Sequence, residues 1–116
     1  MKNEYMNLNS VTAYRHLEEA IKAWSFWQEK VIILDEGRKA MFSKCVLKHK
    51  IDSKSVVEAE HKARTDKEYT DIVEQYAKAE KELISARYHY NNLDRYISFK
   101  QTEIKRDLNL VNKQEG

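Results

Sequence analysis

The stretch EYTDIVEQYAKAEKELISARYHYNNLDRYI, residues 68–97, decides the fold that this sequence predicts. Its apolar and aromatic residues recur at steps that alternate between three and four positions, the heptad spacing of coiled-coil helices. The pattern has one charged member and forms what we call the C-terminal seam: Tyr69, Ile72, Tyr76, Ala79, Leu83, Ala86, Tyr90, Leu93, Ile97, Lys100 and Ile104. A long helix over residues 66–110 is therefore expected.

The first half of the chain carries a matching pattern, and only Arg38 interrupts its apolar character. We call these positions the N-terminal seam: Ala13, Leu17, Ala20, Trp24, Trp27, Val31, Leu34, Arg38, Met41 and Cys45. Gly37 lowers the stability of a helix by about 1 kcal/mol relative to alanine, which can bend the helix at this position but is not expected to end it. The spacing predicts a helix over residues 10–50.

Between these helices the sequence predicts a short connecting helix over residues 53–64, with Asp52 or Ser53 as its cap. Thr65 and Glu68 have the spacing of a capping box at the start of the last helix. Residues 1–9 and 111–116 are expected to be flexible termini. The predicted fold is all-α, an elongated antiparallel helical hairpin that resembles a coiled coil and forms oligomers because its core is thin.

The composition excludes several classes of protein. The chain has no proline and only two glycines, Gly37 and Gly116. It therefore has few of the turn-forming residues that β structure requires. Cys45 is the only cysteine, so no intrachain disulfide can form. No apolar run approaches the roughly 18 residues of a membrane span. We expect a cytoplasmic protein with no membrane partner.

Positive charge is concentrated in the middle of the chain. Residues 38–67 contain nine Lys and Arg residues against four acidic ones, although the formal net charge of the whole chain is only +2. Five of these cations are expected around the connecting helix: Lys48, Lys50, Lys54, Lys62 and Arg64. They either keep a turn solvated or make an electrostatic contact with DNA, RNA or an acidic protein.

A second line of side chains lies opposite the C-terminal seam and mixes rings with cations. Its members, which we call the outer stripe, are Lys81, Tyr88, Arg95, Phe99 and Arg106. Cations that follow phosphates and rings that stack on bases suit single-stranded nucleic acid. The same residues also suit packing against a second copy or the connecting helix, or simple exposure to solvent.

No residue pattern specifies a reaction. Glu58 and His61 lie one helical turn apart, but a di-iron site needs that pair twice, with further carboxylates. Cys45 lies on the N-terminal seam, where a thiol behaves as a small apolar group. Two glycines cannot form a phosphate-binding loop. We expect no enzymatic activity, no cofactor and no metal.

Residues 58–106 resemble a group of small coiled-coil phage and prophage proteins that are encoded near single-strand annealing recombinases and nucleases. The matching residues are Ala63, Arg64, Tyr69, Ala77, Ala79, Ala86, Tyr96, Ser98, Glu103 and Arg106. The resemblance covers less than half of the chain. It implies a phage accessory role in DNA metabolism in a bacterial host. Together with the basic connector and the outer stripe, this favours a protein of DNA recombination or replication with single-stranded DNA or a DNA-processing protein as partner. An inhibitor of a host defence complex and a purely structural scaffold are the alternatives.

Overall fold

The structure, a computed structural model, describes the backbone of residues 10–115 and the side chains of residues 11–110. Within this range the chain forms three helices and no strand: α1 (Ser10–Lys50), α2 (Val56–Thr65) and α3 (Lys67–Glu115). The all-helical class is thus confirmed. α1 has the predicted bounds, whereas α3 continues five residues past the predicted end at residue 110. The predicted flexibility of residues 1–9 and Gly116 lies outside the described residues.

The helices divide into two compact units, which are described separately. The terminal unit comprises Met1–Trp24 and Ala86–Gly116, and the central unit comprises Ser25–Ser85. α1 and α3 each contribute one segment to both units, whereas α2 belongs to the central unit alone. The two seams predict antiparallel pairing of α1 with α3 within each unit.

In the central unit, α1 and α3 pair in antiparallel order. Phe42 packs on Tyr69 with ring centroids 5.3 Å apart. Four residues earlier in α1, the guanidinium of Arg38 lies 4.5 Å from the ring centroid of Tyr76. Arg38 also donates from Nε to an Asp35 carboxylate oxygen at 2.8 Å. The one charged position of the N-terminal seam thus contacts a ring and a carboxylate while its side chain stays 35% exposed.

The terminal unit shows the same antiparallel order. Trp24 and Tyr90 have ring centroids 5.1 Å apart. Toward the other end of this unit, the Gln101 side-chain amide donates to the Tyr14 hydroxyl oxygen at 3.5 Å. Leu93 is fully buried and is the largest such side chain in the described residues. Small seam residues, Ala13 and Ala20, are buried as well and allow the helices to approach closely.

The seams predict burial correctly along most of their length. Every N-terminal seam residue is buried or half-buried, and so is every C-terminal seam residue from Tyr69 to Ile97. Lys100 and Ile104 are exposed instead. Both lie close to Gln101, whose side-chain amide contacts the Tyr14 hydroxyl near the start of the described residues.

The predicted caps were wrong, and the structure replaces both. The N-cap of α2 is Ser55, whose hydroxyl oxygen accepts from the Glu58 N–H at 3.2 Å. The Glu58 carboxylate accepts in turn from the Lys54 N–H at 2.9 Å. These two hydrogen bonds, and not Asp52 or Ser53, start the short helix. The bond from the Lys54 N–H lowers the pKa of Glu58 because it stabilises the carboxylate.

At the start of α3 the capping residue is Asp66, not Thr65. The Asp66 carboxylate accepts from the Glu68 N–H at 2.9 Å, and the Asp66 carbonyl accepts from the Thr70 N–H. Thr65 ends α2, where its hydroxyl donates to the Lys62 carbonyl. A single residue, Asp66, therefore separates α2 from α3.

Candidate binding surfaces

Four members of the outer stripe lie together in the terminal unit. Tyr88 and Phe99 are 64% and 62% exposed, which is unusual for rings of this size, and Arg95 and Arg106 are exposed on the same line of α3. Among the residues that the structure describes, no carboxylate lies within ion-pair distance of either guanidinium. Rings and cations alternate from Tyr88 to Arg106, a rise of 18 residue steps or about 27 Å along the helix.

The fifth member of the predicted stripe falls in the other unit. Lys81 is exposed on α3 of the central unit. Its charge is therefore considered apart from that of the four residues in the terminal unit, to which we restrict the name terminal stripe: Tyr88, Arg95, Phe99 and Arg106.

The first of the connector cations, Lys48, is bound by the cap of α3. Its ammonium lies 3.0 Å from the Asp66 carboxylate and 3.6 Å from Glu68. His49 Nε2 contacts the same Asp66 oxygen at 2.8 Å, and the Asp66 side chain is only 7% exposed. Lys48, then His49, then the Glu68 N–H hold the pKa of Asp66 far below its ordinary range because each stabilises the carboxylate. Lys48 thus has a structural partner.

Two further connector cations are also paired within the central unit. Lys62 donates to the Asp52 carbonyl at 2.9 Å and lies 3.4 Å from the Glu58 carboxylate. Arg64 lies 3.9 Å from Glu60, and its guanidinium is 5.5 Å from the Phe42 ring centroid. Lys50 and Lys54 have exposed side chains. The connector therefore presents much less unpaired charge than the residue count suggests.

The described residues hold no group of three or more His, Cys, Asp or Glu side chains that fits a metal ion. The Glu58 carboxylate is engaged by Lys54 and Lys62, as given above, and not by His61. Cys45 is buried on the N-terminal seam, and burial raises the pKa of its thiol. A buried thiol with a raised pKa is a poor nucleophile.

One surface was not predicted from the sequence. Two adjoining grooves run along α1 of the central unit and share Phe42 and Ser43. Leu47 lines one of them although it lies off the seam and is 64% exposed. The one sequence signal for this surface is Leu47, an apolar residue off the seam and beside the predicted basic connector. The groove itself depends on where α2 packs, which the sequence pattern does not show.

The comparisons with known proteins add no relative. No protein-family model matches the chain, and neither a curated protein nor a solved structure is similar to it. Among the described residues, none of the helices has a segment both long and apolar enough to cross a bilayer. The surfaces described above therefore carry the functional interpretation.

Proposed function

We propose that this chain is a non-enzymatic phage accessory protein of DNA recombination or replication in the bacterial cytoplasm. Its terminal stripe binds single-stranded DNA or a recombination enzyme. The phage assignment rests on the resemblance over residues 58–106. The binding assignment rests on one observation: exposed rings alternate with guanidinium groups that have no described carboxylate beside them.

The chemistry of a single strand fits that alternation. Every base has an aromatic face, so Tyr88 and Phe99 can stack on bases without a sequence preference, and Arg95 and Arg106 can contact the phosphates between them. The paired connector cations are weaker candidates, because a phosphate would have to displace Asp66 from Lys48 or Glu58 from Lys62. We therefore place the main contact on the terminal stripe, with Lys50 and Lys54 as secondary contacts.

Titration of a labelled single-stranded oligonucleotide, followed by fluorescence anisotropy, tests the proposal. Binding should be saturable at about 50 mM salt and fall steeply toward about 200 mM, because phosphate contacts release counterions. Arg95→Ala should weaken binding severalfold and reduce the salt slope by about one. Arg87→Ala is the matched control, since it removes an exposed arginine of the same helix away from the stripe.

The outcome separates the candidate functions. Saturable, salt-dependent binding that Arg95→Ala weakens and Arg87→Ala does not would support the terminal stripe as a nucleic-acid surface. If no binding occurs at the lower salt concentration, the nucleic-acid proposal fails, and the aromatic side chains must serve a protein interface. Equal losses in the two variants would mean that net charge matters and the stripe does not.

Protein docking, as in an inhibitor of a host defence complex, is the second candidate. The observation that favours it is the large apolar exposure of the terminal unit. Side chains exposed there besides the stripe include Val11, Tyr14, Ile21, Ile104, Leu108 and Leu110. Bound nucleic acid would leave most of these apolar side chains exposed to solvent, whereas a protein partner or a second copy would bury them. A defence inhibitor should capture one host complex and ignore oligonucleotides, whereas a scaffold should only self-associate.

A further inference from the structure

The terminal stripe contains an internal repeat of 11 residues. Tyr88 and Arg95 are followed, 11 residues later, by Phe99 and Arg106, so each half consists of a ring and a guanidinium seven positions further on. Eleven residues complete almost three turns of an α-helix, so equivalent members of the two halves lie nearly on one line, about 16 Å apart. We call Tyr88 and Arg95 the first pair, and Phe99 and Arg106 the second pair.

Packing against α1 does not account for this repetition. Apolar residues also recur at the same interval, with Leu93 followed by Ile104 and Ile97 followed by Leu108. Leu93 is fully buried and Ile97 is half-buried, whereas Ile104 and Leu108 are 57% and 58% exposed. The inner line therefore loses its burial in the second half, while the outer rings and guanidinium groups are exposed in both halves. A repeat of exposed side chains instead suits a ligand that contacts both halves.

The acidic residues near the stripe leave both guanidinium groups available. Glu103 is held by Lys100, whose ammonium lies 3.6 Å from the Glu103 carboxylate. Asp94 and Asp107 each adjoin a stripe arginine in sequence, but adjacent residues point about 100° apart around a helix. Within the described part of the terminal unit, neither aspartate forms an ion pair with those arginines. Each guanidinium can therefore receive a phosphate without losing a carboxylate partner.

The two pairs are unequal, because a groove of about 360 Å³ adjoins the second one. None of the side chains that line it is acidic, and Lys105 among them is exposed and has no ion pair within the described residues. The position 11 residues before Lys105 is Asp94. The second pair thus has an added cation where the first has a carboxylate, and it should hold a phosphate more tightly. The groove is lined by Thr102, Lys105, Arg106, Asn109 and Leu110.

A single strand of nucleic acid fits the spacing of the pairs. Successive nucleotides of a stacked strand rise by about 3.4 Å, so about five of them cover the 16 Å between equivalent residues. An unstacked strand covers the same distance with fewer nucleotides. A dinucleotide is therefore too short to reach both pairs, whereas a longer strand contacts both at once.

A second copy of the chain fits this surface less well. An antiparallel two-fold pairing would place each ring opposite a guanidinium of the other copy. The same pairing would also bring together two guanidinium groups from each copy, with no carboxylate of the stripe to offset them, and like charges oppose association. A strand of DNA instead supplies a phosphate for each guanidinium.

We propose that the two pairs are successive subsites for one single strand of DNA, with the second pair the stronger. The two subsites presuppose the proposed function, and they add to it a length requirement and an order of affinity. In each subsite the ring stacks on a base and the guanidinium contacts a phosphate, and Lys105 adds a phosphate contact to the second. Binding at one subsite raises the effective concentration of the strand at the other, so a strand that spans both binds more tightly.

Oligothymidylates of two to twelve nucleotides test the subsites when they compete with a labelled twelve-nucleotide strand for the full chain at about 50 mM salt. Affinity should rise steeply, about tenfold or more, up to about six nucleotides and then only slowly, because further length adds only alternative registers. Tyr88→Ala combined with Arg95→Ala removes the first subsite. This variant should lose the steep rise but keep its affinity for the dinucleotide within about twofold.

Phe99→Ala combined with Arg106→Ala removes the second subsite and should weaken the binding of strands of every length. The four substituted side chains of the two variants are exposed and alanine suits a helix, so circular dichroism should show unchanged helix content. Arg87→Ala is the control for lost charge, because it removes an exposed arginine of α3 that belongs to neither pair. The steep rise with length should persist in that control.

The outcomes separate the subsites from the proposed function. If no strand binds at about 50 mM salt, the proposed function fails and the subsites fail with it. If long strands bind but affinity rises smoothly with length, or if both double variants lose affinity equally at every length, the proposed function stands and the two subsites are wrong. If light scattering shows a dimer that Tyr88→Ala with Arg95→Ala dissociates, a second copy occupies the stripe and the subsites are again wrong.

Discussion

In the central unit, cations near the helix ends are held by carboxylates of the same unit, whereas two arginines of the terminal unit lack such partners among the described residues. Lys48 binds Asp66 and Glu68, and Lys62 binds Glu58. Arg95 and Arg106 are exposed beside exposed rings. The difference teaches that a count of basic residues overstates the charge available to a partner. What matters is which of them the fold has already paired.

A parallel contrast concerns burial. The terminal unit relies on one large, fully buried side chain, Leu93, together with the Trp24–Tyr90 contact. The central unit adds α2, whose buried alanines close one side of the helix pair, and it has a capped junction between α2 and α3. We expect the two units to respond differently to substitutions, and three experiments test this comparison.

The largest effect is expected for Leu93→Ala in the terminal unit. Removing a fully buried leucine costs about 2–5 kcal/mol of the free energy of unfolding, a large part of the stability of a small domain. Urea denaturation followed by circular dichroism measures the loss. Leu108→Ala is the control, because that exposed leucine should change stability by less than about 0.5 kcal/mol. Similar effects at the two positions would contradict the assigned core.

A smaller effect, and one that depends on pH, is expected at the junction of the central unit. Asp66 has a pKa below its unfolded value, so its carboxylate stabilises the fold above about pH 4, and this contribution is lost as the pH falls toward the depressed pKa of the folded state. Asp66→Asn should lower the melting temperature near neutral pH and flatten the acid side of the stability profile.

Asp52→Asn is the control for that experiment. It changes an exposed aspartate of the same connector and leaves its backbone carbonyl free to accept from Lys62. Melting temperatures measured between about pH 2 and pH 7 cover the plateau and the upper part of the window in which the Asp66 contribution is lost. If Asp52→Asn flattened the profile as much as Asp66→Asn, the Lys48–Asp66–His49 contact would not be the source of the pH dependence.

The smallest effect is expected at Gly37 in the central unit. An added Cβ would lie 3.0 Å from Ile72 Cδ1, so the gain of about 1 kcal/mol in helix propensity is opposed by a close contact. Gly37→Ala alone should change stability little. Ile72→Val removes that methyl group. Adding Gly37→Ala to Ile72→Val should therefore raise stability by most of that roughly 1 kcal/mol relative to Ile72→Val alone. A double-mutant cycle with no coupling between the positions would contradict this contact.

The fold was largely predictable from local pattern, and the sites were less so. The seams identify the buried residues correctly from Ala13 to Cys45 and from Tyr69 to Ile97, because heptad spacing places them on one helix face whatever they pack against. The caps were misplaced because several neighbouring residues can act as caps. The choice of Asp66 over Thr65 follows from Lys48 and His49 of α1, which are 18 and 17 residues away in sequence.

The exposure of Ile104 has a similar origin. Its position in the heptad pattern indicates burial, but burial also requires side chains of another element beside it, and Ile104 is 57% exposed. The terminal stripe was predictable as a helix face because residues 88, 95, 99 and 106 recur at seven- and four-residue steps. The groove beside Leu47 was not predictable, since Phe42, Leu47 and Glu60 meet only through the packing of α2 on α1.

The sequence by itself determined that this chain is helical, which residues pair its two long helices, and which rings and cations share the outer line of α3. These properties follow from the 3.6-residue helical repeat, which acts on neighbours in the chain. Only the tertiary structure decided which cations are paired, which residue caps α3, and where α1 and α2 leave a groove. Those properties depend on contacts between distant residues, and no local periodicity encodes them.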